Sequence, residues 1–155
     1  LSSWQGAEIR RLVDEELAPY SATNQVAVTG PEVQLQPATA QTLALALHEL
    51  ATNSAKYGAL STMSGRLSVD WDDREGLLRL VWHEQGGPPV TRPTVKGFGT
   101  RSVLAMIESQ LGGKADFDWR SDGLLCCLLV PLSSKAVLPE AGSANRPAVE
   151  RRLMP

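Results

Sequence analysis

From Pro37 to Tyr57 the chain is one long run of good helix formers, and Gly58 follows as a helix terminator. At 3.6 residues per turn, Leu43, Leu47, Leu50 and Ser54 fall on one side of this helix. Glu49, Asn53 and Lys56 fall nearly opposite, with Tyr57 at their edge. One helix thus offers an apolar stripe to a core and a carboxylate, an amide and a cation to something else. An ordinary surface helix has the same pattern, so the rest of the chain must say what that polar face is for.

The bulk properties narrow the answer. At 155 residues the chain is one domain in size, long enough to bury roughly two-thirds of its unfolded surface. An apolar fraction of 43% with 21% charged residues describes an ordinary globular protein. The net charge of −2 and acidic pI give no general affinity for nucleic acid, so phosphate would have to be met by a local arrangement of donors. Cys126 and Cys127 are adjacent and point to opposite faces if they lie in a strand. They read as small core residues of a reduced compartment, not as a disulfide or a metal site. With no apolar run of membrane-spanning length and no signal peptide, the expected setting is cytoplasmic, without membrane contact. The start at Leu1 rather than methionine reads as a piece of something longer.

Taken in order, residues from about Ser3 to Ala18 predict a first helix, with Trp4, Ile9, Leu12, Val13 and Leu17 inward, Ser3 as cap and Pro19 as terminator. Short strand signals follow at Gln25 to Thr29 and Glu32 to Gln36, and then the long helix. After Gly58 the period changes to two: Arg66 to Trp71 and Leu77 to Trp82 alternate around a turn at Asp72 to Gly76, which predicts a hairpin. Gly97-Phe98-Gly99-Thr100 opens a third helix with Val103, Leu104, Ile107 and Leu111 inward, closed by Gly112-Gly113. Two last strands are expected, Ala115 to Trp119 and the continuous apolar run Leu124 to Val130. From Ser133 to Pro155 the composition shifts to Ala, Pro, Ser, Glu and Arg; this is read as a largely disordered tail, with a short helix at Val149 to Met154 as its one alternative. Residues 1–132 then form an α+β domain, a two-layer sandwich with helices on one face of a mixed, mostly antiparallel sheet.

Three distant segments each have a property suited to one nucleotide. On the long helix, Asn53 offers an uncharged oxygen to a hard cation such as magnesium, Glu49 can orient a water or accept a proton, and Lys56 can meet phosphate charge. Glu84 ends a strand, where a carboxylate can accept from an exocyclic amine such as that of adenine, and Gly86 and Gly87 allow the backbone to come close to a ring. Gly97 to Thr100 is a glycine-rich turn leading into a helix N-terminus, which presents unpaired amides to an anion. Each signal alone is weak. The third glycine of a dinucleotide fingerprint is missing, and no P-loop sequence occurs.

Together and in this order the segments are specific. The chain resembles the ATP-binding catalytic domain of sensor histidine kinases, within the wider group of gyrase, heat-shock chaperone, histidine kinase and mismatch-repair ATPases. It looks most like the HWE subfamily, whose histidine-bearing asparagine box stands here as His48-Glu49-Leu50-x-Thr52-Asn53-x-x-Lys56-Tyr57-Gly58-Ala59-Leu60-Ser61. The subfamily's Trp-x-Glu stands as Trp82-His83-Glu84-x-Gly86-Gly87-Pro88, and the second glycine box as Gly97-Phe98-Gly99-Thr100. The resemblance covers residues 1 to about 132. It implies ATP and Mg2+ as ligands, Asn53 as the magnesium residue and Glu49 as the acidic catalytic residue. It implies Lys56 and Tyr57 at phosphates and ribose, Glu84 in place of the aspartate that reads adenine, and an ATP lid from Gly86 to Lys96. Gly97, Gly99 and Thr100 would form the phosphate-contacting end of that lid, with Arg101 adding charge. The phenylalanine box of ordinary histidine kinases is absent.

The phosphoacceptor histidine of such kinases lies upstream on a dimerisation helix pair, so His48 is read as a residue supporting the catalytic group rather than the acceptor. The implied activity is transfer of the γ-phosphate to a histidine outside this chain, with upstream dimerisation and sensor domains and a response regulator receiver domain as partners. ATP binding without self-phosphorylation, and a monomer in isolation, are expected. Two other readings remain open: an ATPase or serine kinase of the same fold acting on a partner protein, and a non-catalytic nucleotide-sensing or scaffolding module. His83 is expected at a strand end facing solvent. Packing and ligand contact explain Trp82 equally well, and Phe98 either anchors the lid or touches nucleotide.

Overall fold

The computed structural model describes residues 7–23, 25–89, 98–133 and 136–139, and of Phe98 and Gly99 only the backbone. A short strand β1 (Ala7–Glu8) runs into helix α1 (Ile9–Leu17), followed by β2 (Val26–Thr29) and β3 (Gln34–Leu35). Helix α2 (Pro37–Tyr57) leads to the hairpin β4 (Arg66–Arg74) and β5 (Leu77–Gln85). Helix α3 (Phe98–Leu104) passes directly into a π-helical segment, Ala105–Gln110, and strands β6 (Lys114–Arg120) and β7 (Gly123–Pro131) follow.

The five longer strands form one sheet in the order β2-β4-β5-β7-β6, with β2 and β4 parallel and every other pair antiparallel. One face carries the core. Val69 and Trp71 of β4, Leu78, Leu80 and Trp82 of β5, and Cys126, Leu128 and Val130 of β7 cluster with Leu43, Leu47 and Leu50 of α2 and with Ile9, Val13 and Leu17 of α1. The period-two pattern of β4 and the 3.6-residue pattern of α2 thus point the same residues at each other. This is the two-layer α+β sandwich that the alternating signals predict. The stripe on α2 is buried as read, Ser54 included.

Several boundaries differ from the sequence reading. The hairpin turn is shorter than expected, because Asp72 to Arg74 continue β4 and pair with Arg79 to Leu77. The first helix starts at Ile9, because Ala7 and Glu8 instead pair antiparallel with Leu35 and Gln34, and the Ile9 amide donates to Val33 O at 3.0 Å. Those ladder bonds satisfy backbone groups that a helical turn would otherwise have to satisfy. The expected inward Trp4 and the Ser3 cap lie outside the described residues. The third helix does not stay α-helical to Leu111 but changes to π geometry at Ala105. Cys126 is buried and Cys127 is half-buried, and the two are not joined in a disulfide. Burial pushes the Cys126 thiol well above its usual range. Among the described residues, no helix is long and apolar enough to cross a membrane. Leu132 packs against the core, whereas residues 140–155, with the helix considered at Val149 to Met154, lie outside the described residues.

His83 corrects another expectation. It lies on β5, the central strand, flanked by Ser68 of β4 and Leu125 of β7, and is 6% exposed rather than solvent-facing. Alternation along β5 turns it to the face away from the helices, opposite to Trp82 and Glu84. Burial lowers its pKa below the ordinary 6.5; Asp122 opposes that shift and Arg120 adds to it. The unfolded chain therefore binds more protons than the folded one between the folded and the ordinary value. This contribution to stability is intact above about pH 6.5 and is lost as pH falls through the folded pKa. Lowering the pH from about 7.5 to about 5 should reduce the urea unfolding midpoint more in the native chain than in His83→Gln. Equal pH dependence of the two would contradict this account of His83.

Candidate nucleotide site at the end of helix α2

The site is built around Glu84, a carboxylate only 5% exposed. Its Oε1 accepts from Ser54 Oγ at 2.9 Å and from the Ala59 amide at 3.0 Å. Its Oε2 accepts from the indole Nε1 of Trp82 at 2.8 Å. Trp82 and Glu84 are two apart on one strand and so share a face, which lets the indole reach the carboxylate. Ser54 ends the buried stripe of α2, and Ala59 belongs to the helical turn Ala59–Ser61 just beyond it. One acceptor group thus joins β5, α2 and the turn after α2.

Glycine makes that joint close. A Cβ on Gly58 would stand 2.0 Å from Glu84 Oε1, and one on Gly87 would stand 2.8 Å from the Ala59 Cα. The sequence reading assigned Gly86 and Gly87 to the approach of a ring; the close approach the structure displays at Gly87 is to the Gly58–Ala59 backbone. Gly86 has φ +72°, a conformation that favours glycine, and its amide donates to Asp122 O at 3.1 Å. The loop beyond α2 is tied down further: Ser54 Oγ accepts from the Leu60 amide, Ser64 Oγ donates to Gly86 O, and Gln25 Nε2 donates to Thr62 O and Gly65 O.

The other face of α2 stays open. Glu49 and Asn53 are half-buried, and among the described residues neither side chain takes part in a hydrogen bond or ion pair. Lys56 is exposed, and Tyr57 is 74% exposed. Helix α3, which begins with Phe98, Gly99, half-buried Thr100 and exposed Arg101, packs against α2. The structure thus ties the end of α2 and the turn beyond it to Glu84 at the end of β5. Gly97 and most of the expected lid, residues 90–97, lie outside the described residues, as do the side chain of Phe98 and hence its anchoring or contact role. Among the described residues, no three His, Cys, Asp or Glu side chains gather as a metal cluster. A cation at Asn53 would take further oxygens from phosphate and water, a ligand set that suits magnesium and fits the open amide.

His48 sits elsewhere. Its Nδ1 lies 2.9 Å from Glu16 Oε2 of α1, with 62% of the side chain exposed. It is about 140° around the helix from Asn53. It bridges two helices, α1 and α2.

Sequence reasoning missed the donors to Glu84. Trp82 was divided between packing and ligand contact; it is fully buried and donates to the carboxylate. Ser54 was counted with the stripe without a task. The signal was there: a hydroxyl alone among leucines, and a strand-end carboxylate, each in need of a partner. Because the Glu84 oxygen can leave Gly58 only by giving up its Ser54 and Ala59 bonds, Gly58→Ala should lower the unfolding free energy by about 1–3 kcal/mol, seen as a lower midpoint in denaturant titration. An unchanged midpoint would mean that the carboxylate moves aside freely.

Comparison with known proteins follows the same outline. No protein-family profile matches the chain. It is 36% identical over 148 residues to a blue-light-activated histidine kinase of Brucella anthropi, covering 92% of this chain and 30% of that protein. To the protein of the same description from Brucella ovis it is 34% identical over 146 residues, covering 90% and 30%. The chain therefore spans less than a third of the length of these curated relatives. A blue-light activated histidine kinase of Erythrobacter litoralis superposes with a TM-score of 0.68 at 20% identity, over 82% of this chain and 41% of that one. The catalytic domain of the histidine kinase ThkA superposes with a TM-score of 0.62 at 17% identity, over 86% of this chain and 97% of that one. At such identities the superpositions speak for the fold alone. The chain is thus similar in sequence, along nine-tenths of its length, to part of these histidine kinases, and has the fold of histidine kinase catalytic domains.

Proposed function

We propose that the chain binds Mg-ATP between α2, the end of β5 and the segment leading into α3, and transfers the γ-phosphate to a histidine of another domain. The observation that carries this reading is the division of α2 into two jobs. Ser54 turns inward to hold Glu84, while Glu49 and Asn53, on another side of the helix, make no side-chain hydrogen bond or ion pair among the described residues. In this reading Glu84 accepts from the adenine amine, with Gly86 and Gly87 beside it. Asn53 holds magnesium, Lys56 and Tyr57 meet phosphates and ribose, and Gly97, Gly99, Thr100 and Arg101 meet the phosphates from the lid side. Glu49, with His48 supporting its helix, is the acidic catalytic residue, placed to take the proton from the attacking imidazole. Magnesium, when bound, offsets charge on the phosphates. The remaining work is positioning, as in other phosphoryl transfers.

The acceptor belongs to another domain because neither histidine of this chain suits the role. His83 is buried on the far side of the sheet, and His48 is bonded to Glu16. Partners of the reaction would be an upstream dimerisation domain, with its sensor, and a response regulator; ThkA itself has been crystallised with the response regulator TrrA. Calorimetric titration of ATP with and without magnesium tests the site. Asn53→Ala should abolish the gain in affinity that magnesium brings, a loss of about tenfold or more. Undiminished magnesium-dependent binding in that variant would overturn the assignment.

A further inference from the structure

Glu84 has acceptor capacity for about four hydrogen bonds, and among the described residues three are used. The two oxygens are not equivalent. Oε1 accepts twice, and Gly58 closes over it so tightly that a Cβ would not fit. Oε2 accepts once, from Trp82. Whatever else the carboxylate binds must therefore come to Oε2, and the position of Oε2 is set by an indole that no ligand can touch, since Trp82 is 0% exposed.

We infer that Trp82 is a positioning residue for base selection: its indole N–H aims Glu84 Oε2 at an amino group on the bound base, with Ser54 and the Ala59 amide holding the other oxygen. The inference rests on the proposed reading of Glu84 as the base-binding residue. Adenine carries an amine donor at its 6-position and guanine a carbonyl acceptor. A carboxylate oxygen held in one place accepts from the first and repels the second. A carboxylate freed to rotate can turn away from either, and the discrimination falls. The Trp-x-Glu spacing has a physical reason here, because residues two apart on a strand are neighbours on the face where donor and acceptor meet.

Dissociation constants for Mg-ATP and Mg-GTP, measured on the full chain and on Glu84→Gln, Trp82→Phe and Ser54→Ala, test this. Trp82→Phe keeps an aromatic ring in the core and removes the donor together with part of the indole's volume. It should weaken ATP about tenfold while leaving GTP within about twofold, so the ATP-to-GTP preference narrows. If Trp82→Phe weakens both nucleotides alike, or keeps the native ratio while Glu84→Gln loses it, Trp82 is a packing residue only and the inference is overturned, with the reading of Glu84 intact. If Glu84→Gln keeps the native ratio, the base-binding reading fails and the inference with it. Circular dichroism and thermal melting establish that each variant is folded. Should Trp82→Phe not fold, the ratio in Ser54→Ala decides, narrowing in support and unchanged against.

Discussion

A carboxylate taken out of water costs several kcal/mol unless donors replace the lost hydration. Glu84 meets that demand with an indole from its own strand, a hydroxyl from α2 and a backbone amide from the turn that follows α2. Because the donors come from three places, satisfying one side chain fixes the distance between the end of the sheet and the end of the helix. Removing a donor from such a cluster leaves a buried acceptor unpaired and costs more than the bond itself gives. The glycines at 58 and 87 follow from the same constraint, since they remove the side chains that would hold helix end and strand end apart.

The open face of α2 depends on this joint. Ser54 is inside the clamp and Asn53, one residue earlier, is outside it, so the anchoring of one orients the other. A helix held only by its leucine stripe has freedom to roll; bonds at Ser54 and at the turn beyond Tyr57 resist that rotation. Glu49 and Asn53 are thereby presented on a rigid element, and among the described residues neither side chain spends a hydrogen bond on structure. For a site whose proposed work is positioning phosphate, metal and acceptor, that rigidity is the main contribution a protein makes.

Much of the fold was legible because period and core agree. Leu43, Leu47 and Leu50 at helical spacing and Leu78, Leu80 and Trp82 at strand spacing are the residues that meet. His83 was misread because alternation gives the face of a strand residue but not what covers that face; on the central strand, neighbours from β4 and β7 flank it on both sides. Ala7 and Glu8 were misread because pairing with residues 34 and 35 is non-local and leaves no periodic trace in two residues. The candidate site was legible in its outward residues, which have no packing reason to be polar. Its inward half was not, because a serine on an apolar stripe and a tryptophan in a strand each have a sufficient local explanation, and only the fold brings both to one carboxylate.

The central claim is that nucleotide binds where α2 and β5 are clamped together, on the Asn53 side. Titration of the isotopically labelled chain with Mg-ADP, followed by amide and indole NMR shifts, tests it most directly. The account predicts saturable shifts of the Asn53 side-chain amide, the Trp82 indole N–H and the amides of Gly58, Ala59 and Gly87. Shifts confined to the opposite face of the sheet, around Ser68, His83 and Cys127, with those groups unmoved, would contradict it.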